Sequence, residues 1–364
     1  MSGPGTAGPR VLLAPDKFKG SLPAREVAQA LAEGVRRVRP DAVVDSLPVA
    51  DGGDGTLDAA VASGFERVEV VVDGPTGEPV ATAYARRGRT AVVEMADACG
   101  LVRLPGGVLA PMTASSRGLG QVVAAALDAG CRDLVVGIGG SASTDGGVGM
   151  LTALGAAVDD DHLDLTGLHP ALAEARVVAA CDVDNPLTGP DGAAAVYGPQ
   201  KGADPEQVAR LDGRLAGWAD LVAAATGADR RDEPGAGAAG GVGFGLVAVL
   251  GAELRPGIAL MLDLLGFAER VAGSRLVVTG EGSLDEQSLR GKAPVGVSAA
   301  AARAGAPVVA VCGRNLLTER QLAAAGIVAA YALTDLEPDV SVCLREPARL
   351  LVDLGEAIAR EHLC

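Results

Sequence analysis

The chain has 364 residues, about twice the usual ~150 of a single domain, so two domains are expected. Hydrophobic residues make up 49%, yet there are only one Trp, three Tyr and four Phe, so the core must be aliphatic. Polar residues or glycine break every apolar run before the ~18 residues a membrane helix needs, and a net charge of −15 opposes binding to a phosphate backbone.

Residues 1–9 (MSGPGTAGP) have neither a basic start nor an apolar stretch and read as a flexible tail. Residues 10–15 (RVLLAP) form a buried-strand run. A helix capped by Ser21 follows, with Val27, Leu31, Val35 and Val38 at helical spacing and Pro40 at its end. A second strand, 42–49, enters the loop Asp51-Gly52-Gly53-Asp54-Gly55, and a helix with Leu57 and Val61 stops at Gly64. Alternation at Val68, Val70 and Val72 before Pro75-Thr76-Gly77 predicts a hairpin. Further on come a strand at 90–96, a helix capped by Ser115 and Ser116, a strand at 133–137, and a glycine-rich turn before a helix at 150–154. A strand at 177–180 ends in Cys181-Asp182-Val183-Asp184-Asn185, and 227–245 reads as a mobile, glycine-rich loop. From 275 the order is strand 276–279, helix 295–303, strand 308–311, helix 319–325, strand 327–333 and helix 348–360. This alternation predicts an α/β protein: a parallel-sheet domain of the flavodoxin or Rossmann kind from both chain ends (10–75 and 275–364), with a second α/β domain (76–274) inserted.

Six cysteines lie scattered with no CxxC pair, which opposes a zinc cluster or a disulfide framework and fits a reducing cytoplasm. His162, His169 and His362 have no hydrolase-type motif beside them. Of 31 basic residues only Lys17, Lys19, Lys201 and Lys292 are lysines, so each marks a place where a compact ammonium serves better than a guanidinium fork.

Ligands of open α/β sheets sit beyond the carboxyl ends of strands, where this chain places acidic or glycine-rich loops. They are Asp16-Lys17-Phe18-Lys19-Gly20, the 51–55 loop, Gly139-Gly140-Ser141, Asp182-Val183-Asp184-Asn185 and 280–285. Glycines let backbone N–H groups approach an anion, and carboxylates beside them suit Mg²⁺. In an extended 16–19 segment Lys17 and Lys19 project to one side and Phe18 to the other. Gly291-Lys292 is no Walker A site, because Glu286 and Ala293 occupy the required glycine and hydroxyl positions. Residues 137–142 (GIGGSA) do fit the dinucleotide pattern, with Asp159 to Asp161 about twenty residues on, and keep a NAD-dependent oxidoreductase in view as a rival. A non-catalytic nucleotide-binding sensor is a third reading. Phosphoryl transfer suits this inventory of Asp, Lys, Gly and Ser better.

Seven segments in order, APDKFKGSLPA (14–24), PVADGGDGT (48–56), GIGGSASTDGGVGML (137–151), ACDVDNPLTGP (180–190), YGPQKGA (197–203), GAGAAGGVGFG (235–245) and TGEGSLDEQSLRGKAPVG (279–296), resemble the type 1 glycerate kinase family. The chain departs from the family at Asp54, where Glu is expected, and at Lys17, where a small polar residue is commoner. The resemblance implies ATP-dependent phosphorylation of D-glycerate with Mg²⁺, usually to 2-phosphoglycerate, in a cleft between a flavodoxin-like and a second α/β domain. Within it, charge and loop position assign Gly139, Gly140, Ser141 and Ser143, with Ser115 and Ser116, to the nucleotide phosphates. Asp182 takes the hydroxyl proton or binds Mg²⁺, while Asp184, Glu281 and Asp285 complete the metal set. Lys19 and Lys292, with Lys17 and Lys201, neutralise phosphate or substrate carboxylate. Asp51 and Asp54 serve the site or cap the helix after them, and Asp145 is a lesser candidate. A site shared by domains implies closure, for which 235–245 is the candidate moving part.

Overall fold

The computed structural model describes residues 8–159 and 161–364; residues 1–7 of the expected tail, and Asp160, lie outside the described residues. The strands are β1 Arg10–Pro15, β2 Val43–Ser46, β3 Glu66–Asp73, β4 Pro79–Arg87, β5 Thr90–Glu94, β6 Asp133–Gly137, β7 Ala157–Val158, β8 Leu163–Asp164, β9 Arg176–Ala180, β10 Glu253–Arg255, β11 Leu276–Leu284, β12 Val308–Asn315 and β13 Ile327–Ala332. The chain divides into two compact units, one of residues 1–51 and 258–364 and one of residues 52–257.

The first unit holds the sheet β13-β12-β11-β1-β2, parallel throughout. Counted within the unit this is the order 2-1-3-4-5 of flavodoxin-type doubly wound folds. β1 is buried from its second residue onward, which explains its continuous apolar run. One side of the core joins Val27, Leu31 and Val35 of the helix Ala24–Val38 to Leu351, Leu354 and Ile358 of the helix Pro347–His362. Pro23 rather than Ser21 sits at the cap of the first helix; Ser21 closes a turn onto the Phe18 carbonyl and donates its hydroxyl to Leu344 O.

The second unit holds β10-β9-β6-β5-β4-β3, with β5, β6, β9 and β10 parallel and the β3–β4–β5 end antiparallel. The expected hairpin at 65–85 is therefore present, but it pairs through β5 into this sheet. The unit thus begins at residue 52 rather than 76, and residues 258–274 join the first unit. Periodicity shows that a hairpin forms; the partner of its second strand decides which sheet it enters.

The longest helix among the described residues, Pro205–Thr226, is absent from the expected elements. Its sequence carries the signal: a capping box of Asp204 and Gln207, then Leu211, Leu215, Trp218 and Val222 on the buried face. The stretch 235–245 is no surface loop. It enters the helix Ala238–Ala248 with Ala236, Val242 and Phe244 in the core, so it is a packing element rather than an exposed moving part.

Candidate active site

In the first unit, strand order reverses at β1, with β2 on one side and β11 on the other. Such a reversal opens a crevice at the carboxyl ends. The register pairs Pro15 with Gly280, so Asp16 and Glu281 are the next residues on the two strands. Asp16 is 7% exposed and its Oδ1 accepts from Lys17 N at 2.6 Å. Burial pushes its carboxyl up to about 7; the Lys17 ammonium opposes this, while Asp51 and Glu281 add to it. Glu281 is 9% exposed and its Oε1 has no hydrogen-bond partner. Burial raises its pKa too, against the Ser288 hydroxyl and Lys292 and with help from Asp285 and Asp51.

Lys17 Nζ lies 3.9 Å from Asp16 Oδ1. Phe18 is buried between a half-buried Lys17 and an exposed Lys19, as the alternation predicts. Lys292 precedes the helix Ala293–Arg303, and its Nζ reaches Gln287 Oε1 at 3.4 Å. Asp285 Oδ1 accepts from Gln287 N at 2.9 Å and Ser288 N at 3.4 Å, so it braces its own turn. Arg314 on β12, absent from the expected set, donates from Nε to Ser283 Oγ at 3.2 Å.

At the carboxyl edge of the second sheet, residues 52–55 lie against the loop after β6. Gly139 N donates to Gly52 O at 3.3 Å, and a Cβ on Gly140 would stand 3.1 Å from Asp54 Oδ1. Gly52 has φ +90°, and a side chain there would meet the Ala180 Cβ at 2.3 Å. The carboxylate that caps the helix Thr56–Ala62 is Glu94, at the end of β5, which accepts from Gly55 N at 3.2 Å and Leu57 N at 2.9 Å. Burial pushes Glu94 up to about 7, with those two amides opposing and Asp97 and Asp54 adding. Asp182 is exposed after β9, and its Oδ1 accepts from Gly257 N at 2.8 Å; Asp184 is exposed beyond it.

Several expected phosphate ligands face inward. Asp145 Oδ2 accepts from Ser116 N and Ser116 Oγ, both at 2.8 Å, and from Gly149 N at 3.2 Å; Oδ1 accepts from Gly147 N at 3.1 Å. This internal carboxylate thus occupies the amino end of the helix Arg117–Asp128, and Ser116, fully buried, has nothing left for a phosphate. Ser143 is buried, and Lys201 is buried on Ser141 Oγ and the Ser143 carbonyl. Gly139, Gly140 and Ser115 remain accessible. Of the expected metal set, Glu281 and Asp285 belong to the first unit and Asp184 to the second; among the described residues no group of three or more His, Cys, Asp or Glu is arranged to hold a metal. Glu281 keeps the requisite chemistry, a buried carboxylate oxygen without a partner.

The dinucleotide pattern fails in context. The helix after β6 starts at Val148 rather than at the glycines, and Asp159 follows the short strand β7; Asp160 lies outside the described residues. Two histidines make ordinary contacts, His169 Nε2 with Asp128 Oδ1 at 3.0 Å and His362 Nε2 with Tyr331 OH at 2.7 Å.

A doubly wound sheet whose switch point carries buried carboxylates beside lysines is the arrangement of an α/β enzyme handling small anions. Residues 11–363 match the model of the glycerate kinase family, and the chain belongs to that family of enzymes. It is 42% identical over 324 residues to glycerate 2-kinase of Escherichia coli K12, covering 84% of this chain and 85% of the relative. Glycerate kinase of Bacillus subtilis 168 is 44% identical over 323 residues, with coverage of 84% and 85%. The crystal structure of a protein assigned as glycerate kinase 2 from Salmonella typhimurium LT2 superposes with a TM-score of 0.85 at 39% identity, covering 97% of this chain and 98% of that one.

Proposed function

We propose that the chain transfers the γ-phosphoryl group of ATP to the 2-hydroxyl of D-glycerate, giving 2-phosphoglycerate and ADP. The observation that carries this reading is the switch-point edge of the first unit, where Asp16 and Glu281 are buried beside Lys17 and Lys292. Transfer requires a group to take the hydroxyl proton and cations around the moving phosphoryl. Asp16 is the proton acceptor in this proposal, in preference to the exposed Asp182, because burial brings its carboxyl up to about 7. Lys17, Lys19 and Lys292 supply positive charge to phosphate and to the glycerate carboxylate. Mg²⁺, when bound, neutralises and orients phosphate oxygens; Glu281, through its unpartnered oxygen, and Asp51 are the residues that would hold it. Gly140, exposed and with φ +76°, and its neighbour Gly139 carry no side chain to keep a phosphate from the backbone.

The name of the E. coli relative supports the 2-hydroxyl as acceptor. The net charge of −15 supports a small-molecule partner and no nucleic acid, and free cysteines, four of them buried, support a cytoplasmic setting. Among the described residues no helix is long and apolar enough to cross a membrane.

The test is ADP release coupled to D-glycerate, with and without chelator, followed by phosphorus NMR of the product. Glycerate-dependent release that stops on chelation, and the resonance of 2-phosphoglycerate, are expected. No release overturns the activity; the 3-phosphoglycerate resonance overturns the position.

A further inference from the structure

Lys201 holds a charge inside the second unit that the chemistry proposed above does not use. It ends the turn Pro199–Lys201 and is 2% exposed. Its Nζ donates to Ser141 Oγ at 2.8 Å and to the Ser143 carbonyl at 2.5 Å. Gly240 approaches it within the run Ala239, Gly240 and Gly241, whose φ of 54°, 70° and 88° form a left-handed stretch that side chains disfavour. A Cβ on Gly240 would lie 2.0 Å from Ser143 O and 2.8 Å from Nζ. Nζ is thus enclosed, with the Gly240 backbone close on one side, a setting that suits a compact ammonium better than a planar guanidinium.

The titratable neighbours of Nζ are Asp145 and Cys99. Burial pushes the Cys99 thiol up to about 12, so it stays neutral. Asp145 anchors Ser116, Gly147 and Gly149. Between the two charges, Ser143 Oγ and Thr144 Oγ1 are buried without partners. The segment 141–147 is therefore fastened by the ammonium near its start and the carboxylate near its end, together with the backbone bonds of Ala142 and Gly146, while the Ser143 and Thr144 hydroxyls contribute none.

We propose that Lys201 is a positioning residue for nucleotide binding: its ammonium fixes the turn at 141–143 and thereby the backbone of Gly139 and Gly140 just upstream. This inference rests on the phosphotransfer reading above.

Lys201→Met, Lys201→Arg and Gly240→Ala would be compared with the wild type by calorimetric binding of Mg·ATP and by steady-state ADP release. Circular dichroism and Trp218 fluorescence would check the fold, since the Trp218 indole donates to Gly146 O on this same segment. Lys201→Met should raise the ATP Kd and KM on the order of 100-fold while leaving the glycerate KM within about 2-fold. Arg should not rescue, and Gly240→Ala should reproduce the defect. Burial pulls the Lys201 pKa down to about 8, so the wild-type ATP Kd should climb above that pH and that climb should vanish in the Met variant. A folded Met variant with wild-type ATP affinity, or full rescue by Arg, overturns the proposal. If the Met variant does not fold, a wild-type ATP affinity that is flat from about pH 7 to about pH 9.5 overturns it. A wild type that binds ATP but never phosphorylates glycerate overturns the parent reading instead, and the Kd comparison still decides Lys201.

Discussion

Replacing Glu94 by Gln removes one titration from the buried edge of the second sheet. The side chain is 7% exposed, and burial moves its pKa from the ordinary 4.5 to about 7. Below about pH 4.5 the carboxyl is protonated in both folded and unfolded chains. Between there and about pH 7 the unfolded chain gives up the proton while the native protein keeps it, so the unfolded state binds fewer protons and stability falls as pH rises. Above about pH 7 both forms are ionised and the loss is complete. The interval from 4.5 to about 7, at ~1.36 kcal/mol per pH unit, amounts to about 3 kcal/mol. Glu94→Gln lacks this titration, so its stability relative to the wild type should climb by about 3 kcal/mol across that interval, on top of any constant offset from the altered cap. Urea unfolding followed by the fluorescence of Trp218, the single tryptophan, reports the unit that contains Glu94. Other titrating groups cancel in the difference. A gap between the two proteins that stays within about 0.5 kcal/mol from acid to neutral pH refutes the burial argument.

Asp16→Asn should lower kcat by about 10²–10⁴-fold with the circular dichroism spectrum preserved, and a loss below about tenfold dismisses Asp16 as proton acceptor. Asp145→Ala strips the acceptor from the Ser116, Gly147 and Gly149 amides and should destabilise the second unit by about 3–5 kcal/mol, read as a drop of roughly 10 °C in its thermal midpoint. A shift under about 2 °C would show those amides find other acceptors. Gly52→Ala combines φ +90° with a 2.3 Å approach to Ala180 Cβ and should cost at least about 2 kcal/mol in urea unfolding; an unchanged midpoint would mean the loop has moved aside.

Much of this molecule was legible from its residues. The RVLLAP run, the Val27-Leu31-Val35 stripe and the late strand–helix alternation all correspond to elements of the first unit, because periodicity is a local property. What escaped depended on distant partners. Lys201, in the short Gly198–Gly202 stretch, reads locally as a cation for phosphate or substrate carboxylate, yet its acceptors lie 60 and 58 residues away in the interior. Glu94 looks like a strand end; the amides it caps lie 39 and 37 residues earlier. Asp16 stands in a loop whose lysines carry the more obvious chemistry, and nothing local reveals that β11 brings Glu281 alongside. The glycines of 235–245 read locally as freedom of motion, whereas in the fold they permit backbones to touch.

The first unit's discontinuity bears on how the protein is made. Ala14 on β1 accepts a hydrogen bond from Thr279 on β11, 265 residues later. At roughly 5–20 residues per second of synthesis, β1 leaves the ribosome some tens of seconds before its neighbour exists. The contiguous unit can complete itself meanwhile, but the nascent amino-terminal strand must wait as an apolar ribbon with one side unpaired. Slow translation or scarce chaperones should therefore harm this enzyme's yield through its earliest residues, long before any catalytic group is in question.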